Sequence, residues 1–420
     1  MNHIRSLELL NSSDLDDLAS FEELETSTLE REIAQGRMVL LFNPNHRRCR
    51  PTVIGQPASI KVNANIGTSP LQNDSQLEAA KARTAERAGA HTLMDLSTAG
   101  DLDRLRLDLL EQSPLPLGTV PIYSLAQKYL DAGDDPATMT AVELLDEIAK
   151  QAEQGVDFMT LHCGVTSRAA SLAKQGRDLL GIVSRGGAIL ARWMGVNQRE
   201  NPLYTEFDRL LEICREHNVT ISLGDGLRPG AGAEAGDAAQ WEEVVVLGEL
   251  AERARKAGVQ VMIEGPGHVP LHLIQSQIQG MKKLCGQAPL YVLGPLTTDR
   301  AAGHDHIAGA IGGALAGTYG ADFLCYLTPA EHLTLPNELD VWQGVKASLI
   351  AADSAEVALG SPRALAANER ISRARHELDW DSLAETCIDP PLARKRRNEL
   401  GHTSEACAMC GEFCAIKLLR

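Results

Sequence analysis

From residue 59 onward, short apolar runs rich in β-branched residues alternate with longer stretches whose apolar positions recur at helical spacing. The runs are 59–66 (SIKVNANI), 91–97 (HTLMDLS), 118–123 (GTVPIY), 157–163 (DFMTLHC), 219–225 (VTISLGD), 259–265 (VQVMIEG), 290–295 (LYVLGP) and 321–327 (ADFLCYL). Amphipathic stretches such as 74–88, 141–154, 206–217 and 239–257 lie between them. Strand–helix alternation requires a parallel sheet. Eight such units over about 270 residues predict an α/β fold of the (β/α)8 TIM-barrel type, with a doubly wound open sheet as the alternative. Residues 1–55 are charged and only locally periodic, with Ser13-Asp14 as a helix cap, residues 28–34 as a further helical stretch and a turn-like junction at 47–51. This segment shows no chemistry of its own. After residue 350 the pattern is helical through 351–359, 363–378 and 381–386, then a basic run at 393–397. The expected organisation is a short N-terminal segment (1–55), a barrel (56–350) and a helical extension (351–420).

A barrel places its chemistry at the C-terminal ends of its strands. The eight runs end in, or lead into, Asn63 and Asn65, Met94 and Asp95, Tyr123, His162, Asp225 to Arg228, Glu264 to His268, Tyr291 and Asp299, and Glu331-His332. Polar groups at every strand end predict an active site on that rim. Two loops, Ser184-Arg185-Gly186-Gly187 and Asp225-Gly226-Leu227-Arg228-Pro229-Gly230, combine glycine with arginine. Backbone N–H groups beside a guanidinium cradle phosphate or carboxylate, although ordinary glycine turns read the same way. His268 and His332 offer imidazoles from two strand ends, either as zinc ligands with water or as hydrogen-bonded pocket residues.

The C-terminus carries Cys407, Cys410 and Cys414 in a C-x2-C-x3-C spacing. Three thiolates on one tight loop leave one iron of a cubane open to bind a small molecule. The other readings are a zinc hook completed by a residue such as His402, and three unrelated thiols. Nine cysteines, an odd number, together with no long apolar N-terminal core, predict a reduced, cytoplasmic, soluble protein. No apolar run approaches the ~20 residues of a membrane span. The hydrophobic fraction of 44% with only 4% aromatics suits close helix–sheet packing. A net charge of −16 argues against nucleic acid or an anionic membrane as partner, and leaves room for a local phosphate pocket.

The motifs NANIGTS (63–69), MDLST (94–98), GTVPIY (118–123), SRGG (184–187), LGDGLRPG (223–230), IEGPGHVP (263–270), LGPLTTD (293–299), GADFLCY (320–326) and CAMCGEFCAIK (407–417) fall in order over most of the chain. Together they resemble the radical S-adenosylmethionine family of phosphomethylpyrimidine synthase and its close relative 5-hydroxybenzimidazole synthase. The resemblance implies a substrate, 5-aminoimidazole ribotide, and a [4Fe–4S] cluster on Cys407, Cys410 and Cys414 that chelates S-adenosylmethionine. It implies zinc on His268 and His332. It further implies a ribotide site of Asn65, Met94, Tyr123, His162, Ser184, Arg185, Gly186, Asp225, Gly226, Leu227, Arg228, Glu264 and Tyr291. An electron donor such as flavodoxin or ferredoxin is expected, as is a homodimer in which the cluster tail of one subunit closes the barrel of the other.

Some positions depart from the thiamine-branch pattern. Asp353 stands where that pattern has His, His304 where it has Tyr, and Ala99 where it has Gly. The cysteine spacing is also one residue shorter than in the long thiamine enzymes, whose large N-terminal extension is missing. Short thiamine synthases also exist, so length alone does not discriminate; the substitutions at Asp353 and His304 favour 5-hydroxybenzimidazole formation for cobamide biosynthesis, with phosphomethylpyrimidine synthesis as the alternative. Two other classes fit the residues alone: a zinc-dependent barrel hydrolase using His268, His332 and Glu264, and a non-catalytic iron–sulfur sensor.

Overall fold

The computed structural model describes residues 4–399 and 405–419. Its centre is a closed barrel, which excludes the open doubly wound sheet. Two short strands precede it, β1 (Val39–Leu41) and β2 (Thr52–Ile54), paired antiparallel with Leu40 opposite Val53. The barrel strands are β3 (Lys61–Ile66), β4 (Thr92–Asp95), β5 (Leu117–Thr119), β6 (Phe158–Leu161), β7 (Thr220–Leu223), β8 (Val261–Gly265), β9 (Leu290–Leu293) and β10 (Phe323–Cys325). All eight neighbours pair in parallel, and β10 closes on β3 with Leu324 opposite Val62.

Seven of the expected runs contain their strands, and the third overlaps β5 only at Gly118 and Thr119. Residues 118–123 read as strand to Tyr123, whereas β5 stops at Thr119 and Pro121 opens the helix Pro121–Ala132. Proline suits the first helical turn, where its missing N–H has no partner to lose. Tyr123 therefore reaches the rim from a helix start. The hairpin β1/β2 was not expected, because three-residue strands are too short to show alternation.

Local chemistry sets the helix ends. Asp74 accepts from the Gln76 and Leu77 amides to begin Ser75–Ala88, which Gly89 ends at φ 98°. Thr140 and Glu143 form a reciprocal capping box on Ala141–Gln154.

The lower barrel is filled by rings. Phe323 stacks on Tyr291 at 4.2 Å and meets Phe158 edge-on at 6.4 Å. A Cβ on Gly118 would lie 2.3 Å from the Phe158 ring, so only glycine fits there. The N-terminal face is closed by the segment before the barrel. Glu22 pairs with Lys61 at 2.9 Å, with both side chains buried. Gln260 exchanges two hydrogen bonds with the Leu40 backbone. His46, from a segment that offered no visible chemistry, donates from Nδ1 to Asp157 at 2.7 Å, and its Nε2 faces the Ser113 carbonyl at 3.1 Å. Asp157 also accepts the Asn43 and Leu117 amides. Donor atoms of His46, Cys49 and Asp157 lie within 4.8 Å of one another. Both imidazole nitrogens and both carboxylate oxygens are already engaged, so the group acts as a buried latch rather than an open metal site.

The chain divides into two compact units, Met1–Ala355 and Glu356–Arg420. Within the second, the helices Pro362–Glu377, Trp380–Thr386 and Pro390–Asn398 precede the cysteine loop. The basic run 393–397 lies on the last of these helices, and the Arg397 guanidinium sits 4.5 Å over the Trp380 ring. No helix among the described residues is long and apolar enough to cross a membrane.

Candidate active site

The C-terminal ends of the strands enclose a cavity of about 100 Å³. Eight expected residues line it: Asn65, Met94, Tyr123, His162, Asp225, Arg228, Glu264 and Tyr291. A second cavity of about 190 Å³ shares Asn65 and Leu96 with it and is lined by Arg185, Glu331 and His332. Alternation explains the convergence, since residues two apart on a strand face the same side. Asn63 and Asn65 are such a pair. Asn63 donates to Asn65 Oδ1 at 2.7 Å and to the Tyr291 hydroxyl at 2.8 Å, and accepts from the Thr92 hydroxyl at 2.7 Å. Asn65 in turn donates to the Cys325 sulfur.

Glu264 lies at the centre. Its Oε1 accepts from the Thr160 hydroxyl at 2.6 Å and the Ser222 hydroxyl at 2.8 Å. Burial raises its proton affinity, against the opposing effect of these hydroxyls. Burial likewise holds the Asp225 carboxyl up at about 8, although the Arg228 guanidinium donates to it at 3.1 Å. Burial, with Arg228 adding repulsion, pushes His162 down to about 3, so the imidazole is neutral. The site thus presents one fixed cation, a carboxyl that exchanges its proton near neutrality and a neutral imidazole. Such opposed shifts within one cavity mark sites of proton chemistry.

The remaining expected residues support the cavity from behind. Ser184 caps the helix Arg185–Asn197 and meets His162 Nε2 at 3.2 Å. Gly186 packs on the His162 ring, where a Cβ would sit 2.3 Å away. The Arg185 guanidinium lies 4.5 Å over the Tyr123 ring. Gly226 and Leu227 do not line the cavity. Leu227 is fully buried and offers its amide to Glu243 at 2.8 Å. Thr160, Ser222 and Cys325 were not picked out from the sequence. Their signal was weak but present, as small polar residues inside otherwise apolar strands.

His268 and His332 come together, with ring centroids 5.2 Å apart. His268 Nδ1 meets Asp299 at 2.8 Å, and His332 Nδ1 faces Asp305 at 3.7 Å. The Asp299 carboxylate on His268 Nδ1 leaves its Nε2 free to ligate, which is the arrangement metal-binding histidines adopt, while Asp305 stands near His332 Nδ1 without a hydrogen bond. This pair fits a divalent metal. In the second unit, Cys407, Cys410 and Cys414 are free and share one loop, with a 3-10 turn at Gly411–Phe413 between the last two. Backbone N–H groups of Cys410 and Met409 directed at the Cys407 sulfur hold its thiol below the usual range. That favours the thiolate a cluster requires. Cys285 and Cys325 differ: burial pushes both up to about 12. His402 lies outside the described residues.

The family model described as the Radical SAM ThiC family matches residues 7–420. The chain belongs to this family. It is a radical S-adenosylmethionine enzyme of the carbon–carbon rearranging kind, and the family implies an iron–sulfur cluster and S-adenosylmethionine. The hydrolase and sensor readings fall with that assignment. The chain is 48% identical over 407 residues to phosphomethylpyrimidine synthase of Thermotoga petrophila, covering 97% of this chain and 96% of that one. It is 50% identical over 406 residues to phosphomethylpyrimidine synthase of Methanopyrus kandleri, covering 96% and 94%. Among solved structures, a Coxiella burnetii dihydropteroate synthase aligns with TM-score 0.41 and 14% identity over 73% of this chain and 96% of that one.

These relatives correct the expectation of 5-hydroxybenzimidazole formation, since they carry the name of the alternative. The structure supplies the physical reason. His304 is exposed, just before the helix Asp305–Thr318, and Asp353 is half-buried within the helix Glu338–Leu359. Neither lines the strand-end cavity. Substitutions there leave the groups around the cavity unchanged and carry little information about the product.

Proposed function

We propose that the protein is a phosphomethylpyrimidine synthase, which converts 5-aminoimidazole ribotide to 4-amino-5-hydroxymethyl-2-methylpyrimidine phosphate for thiamine biosynthesis. One observation carries the reading. Asp225, Arg228, Glu264, His162 and Tyr291 converge on one strand-end cavity, in a chain 48% identical to a protein of that name.

The two glycine–arginine loops take the ribotide phosphate, through Arg228 and the N-terminus of the helix Arg185–Asn197. Asp225, poised near neutral pH, holds or releases a proton at the imidazole as the ring is rebuilt. Glu264, oriented by Thr160 and Ser222, accepts from the substrate, and neutral His162 completes the polar wall. A [4Fe–4S] cluster held by Cys407, Cys410 and Cys414 supplies, when bound, the electron that cleaves S-adenosylmethionine to methionine and a 5′-deoxyadenosyl radical. The enclosed rim would keep water and other C–H groups away from the reacting ribotide. His268 and His332 would hold the zinc ion. A flavodoxin or ferredoxin delivers the electron, and the working form is a homodimer.

The test is product identification. Anaerobically reconstituted protein is given the ribotide, S-adenosylmethionine and a strong reductant, and the products are weighed by mass spectrometry. The hydroxymethylpyrimidine phosphate mass is expected. A benzimidazole mass, or 5′-deoxyadenosine with no ribotide consumed, overturns the reading.

A further inference from the structure

The two glycine–arginine loops appear in the sequence as separate signals, about forty residues apart. In the structure they pack directly against each other. A Cβ on Gly187 would lie 2.2 Å from the Gly226 carbonyl oxygen, backbone against backbone, and one on Gly230 would lie 2.4 Å from the Val183 side chain. Backbones this close have nothing of their own to hold them in register.

One side chain spans them. Arg177 follows the helix Ser167–Gly176, and its side chain is fully buried. A guanidinium has five N–H donors, and here all are used. Nη2 donates to the Leu227 carbonyl at 2.6 Å and to Asp237 Oδ1 at 3.0 Å. Nη1 donates to the Arg228 carbonyl at 3.2 Å and the Gly181 carbonyl at 3.0 Å. Nε donates to Asp237 Oδ2 at 2.7 Å. Gly181 belongs to the segment leading into Ser184-Arg185, while Leu227 and Arg228 belong to the other loop. Two carboxylates secure the same assembly. Glu243 accepts the Leu227 amide at 2.8 Å, and Glu234 accepts the Leu180 and Gly181 amides at 2.9 and 3.3 Å.

We infer that Arg177, oriented by Asp237, is a positioning residue that fixes the separation of the two loops and so aims Arg228 and Asp225 at the substrate. Arg177 does not line the strand-end cavity, so it acts only through the backbone it holds. The inference rests on the proposed function, in which those loops bind the ribotide. Lysine cannot replace it, because an ammonium is a point donor and cannot span four separate acceptor groups in one plane.

The experiment uses full-length reconstituted Arg177→Lys and Asp237→Asn beside wild type and Arg228→Gln. Three quantities are read: the ribotide Kd, the ratio of 5′-deoxyadenosine formed to pyrimidine formed, and the melting temperature. The ratio is intensive, so a smaller folded fraction leaves it unchanged. A loop displaced by ~1 Å costs on the order of 10²-fold in rate. Arg177→Lys is therefore expected to weaken ribotide binding by roughly tenfold and to raise the ratio several-fold. Asp237→Asn is expected to move both in the same direction by less. If Arg177→Lys does not fold, Asp237→Asn decides alone. Wild-type Kd and ratio in the folded variants, with Arg228→Gln impaired, overturn this inference alone. Failure of wild type to bind the ribotide overturns the proposed function and this inference with it.

Discussion

Gly186→Ala separates stability from function sharply. The added Cβ would lie 2.3 Å from His162 Cε1 and 2.4 Å from Nδ1, where ordinary contacts begin at 3.4 Å. The ring must therefore give way by about 1 Å. It has little room, because it is fully buried, meets Ser184 on one side and packs against Gly224 on the other. Overpacking of this kind costs about 1–3 kcal/mol. Alanine in place of glycine within a helix returns up to about 1 kcal/mol. The net loss of stability is then about 0–3 kcal/mol, small enough for the protein to fold. Activity is another matter: an active-site imidazole moved by ~1 Å is expected to lower turnover on the order of 10²-fold. Gly195→Ala is the control. It lies in the same helix with nothing within 4 Å of its added Cβ, so it should gain about 0.5–1 kcal/mol and keep full turnover. Thermal melts and single-turnover product yields on both variants measure the two effects. Full turnover in Gly186→Ala with a raised melting temperature would refute the packing argument.

Other outcomes follow from the same geometry. Because burial holds Asp225 up at about 8, the folded chain keeps a proton that the unfolded chain releases near pH 4. Its contribution to stability therefore falls as pH rises between those values, and Asp225→Asn should flatten that slope and remove the corresponding step from the pH–rate profile. His46 changes in the same direction over a higher pH window. Burial disfavours its charge, but Asp157 outweighs burial and raises it, so its stabilisation is complete below pH ~6.5 and is lost as pH rises through the higher folded value. Removing one partner of a buried pair costs roughly 3–5 kcal/mol. Denaturant titration of His46→Ala should show that loss, with turnover per folded molecule unchanged because the latch lies at the barrel end opposite the site. Cys410→Ala should abolish both the visible absorbance of the reconstituted protein and 5′-deoxyadenosine formation; retained turnover would rule out the cluster assignment.

The barrel was legible in the sequence because its signal is periodic and local. Eight apolar runs separated by helical stretches leave few alternatives, and the chemistry of a parallel barrel must gather at one rim. The Gly/Arg loops, the strand-end carboxylates and the cysteine spacing could be named for the same reason, since each is a short string of residues. Product choice was misjudged from Asp353 and His304, because a string of letters does not say how far a residue stands from the cavity.

Sequence alone determined the class of fold, the end of the barrel that carries the site and the presence of a three-cysteine loop. Only the tertiary structure decided that Tyr123 enters from a helix, that Thr160 and Ser222 orient Glu264, and that His268 and His332 meet with their Nδ1 atoms turned to carboxylates. It also decided that Arg177 ties two distant loops together. The physical reason is the range of the interactions. Periodicity and capping act within one or two turns of chain, whereas burial, proton affinity and hydrogen-bond partnership depend on groups tens to hundreds of residues away, which become neighbours only once the barrel has closed.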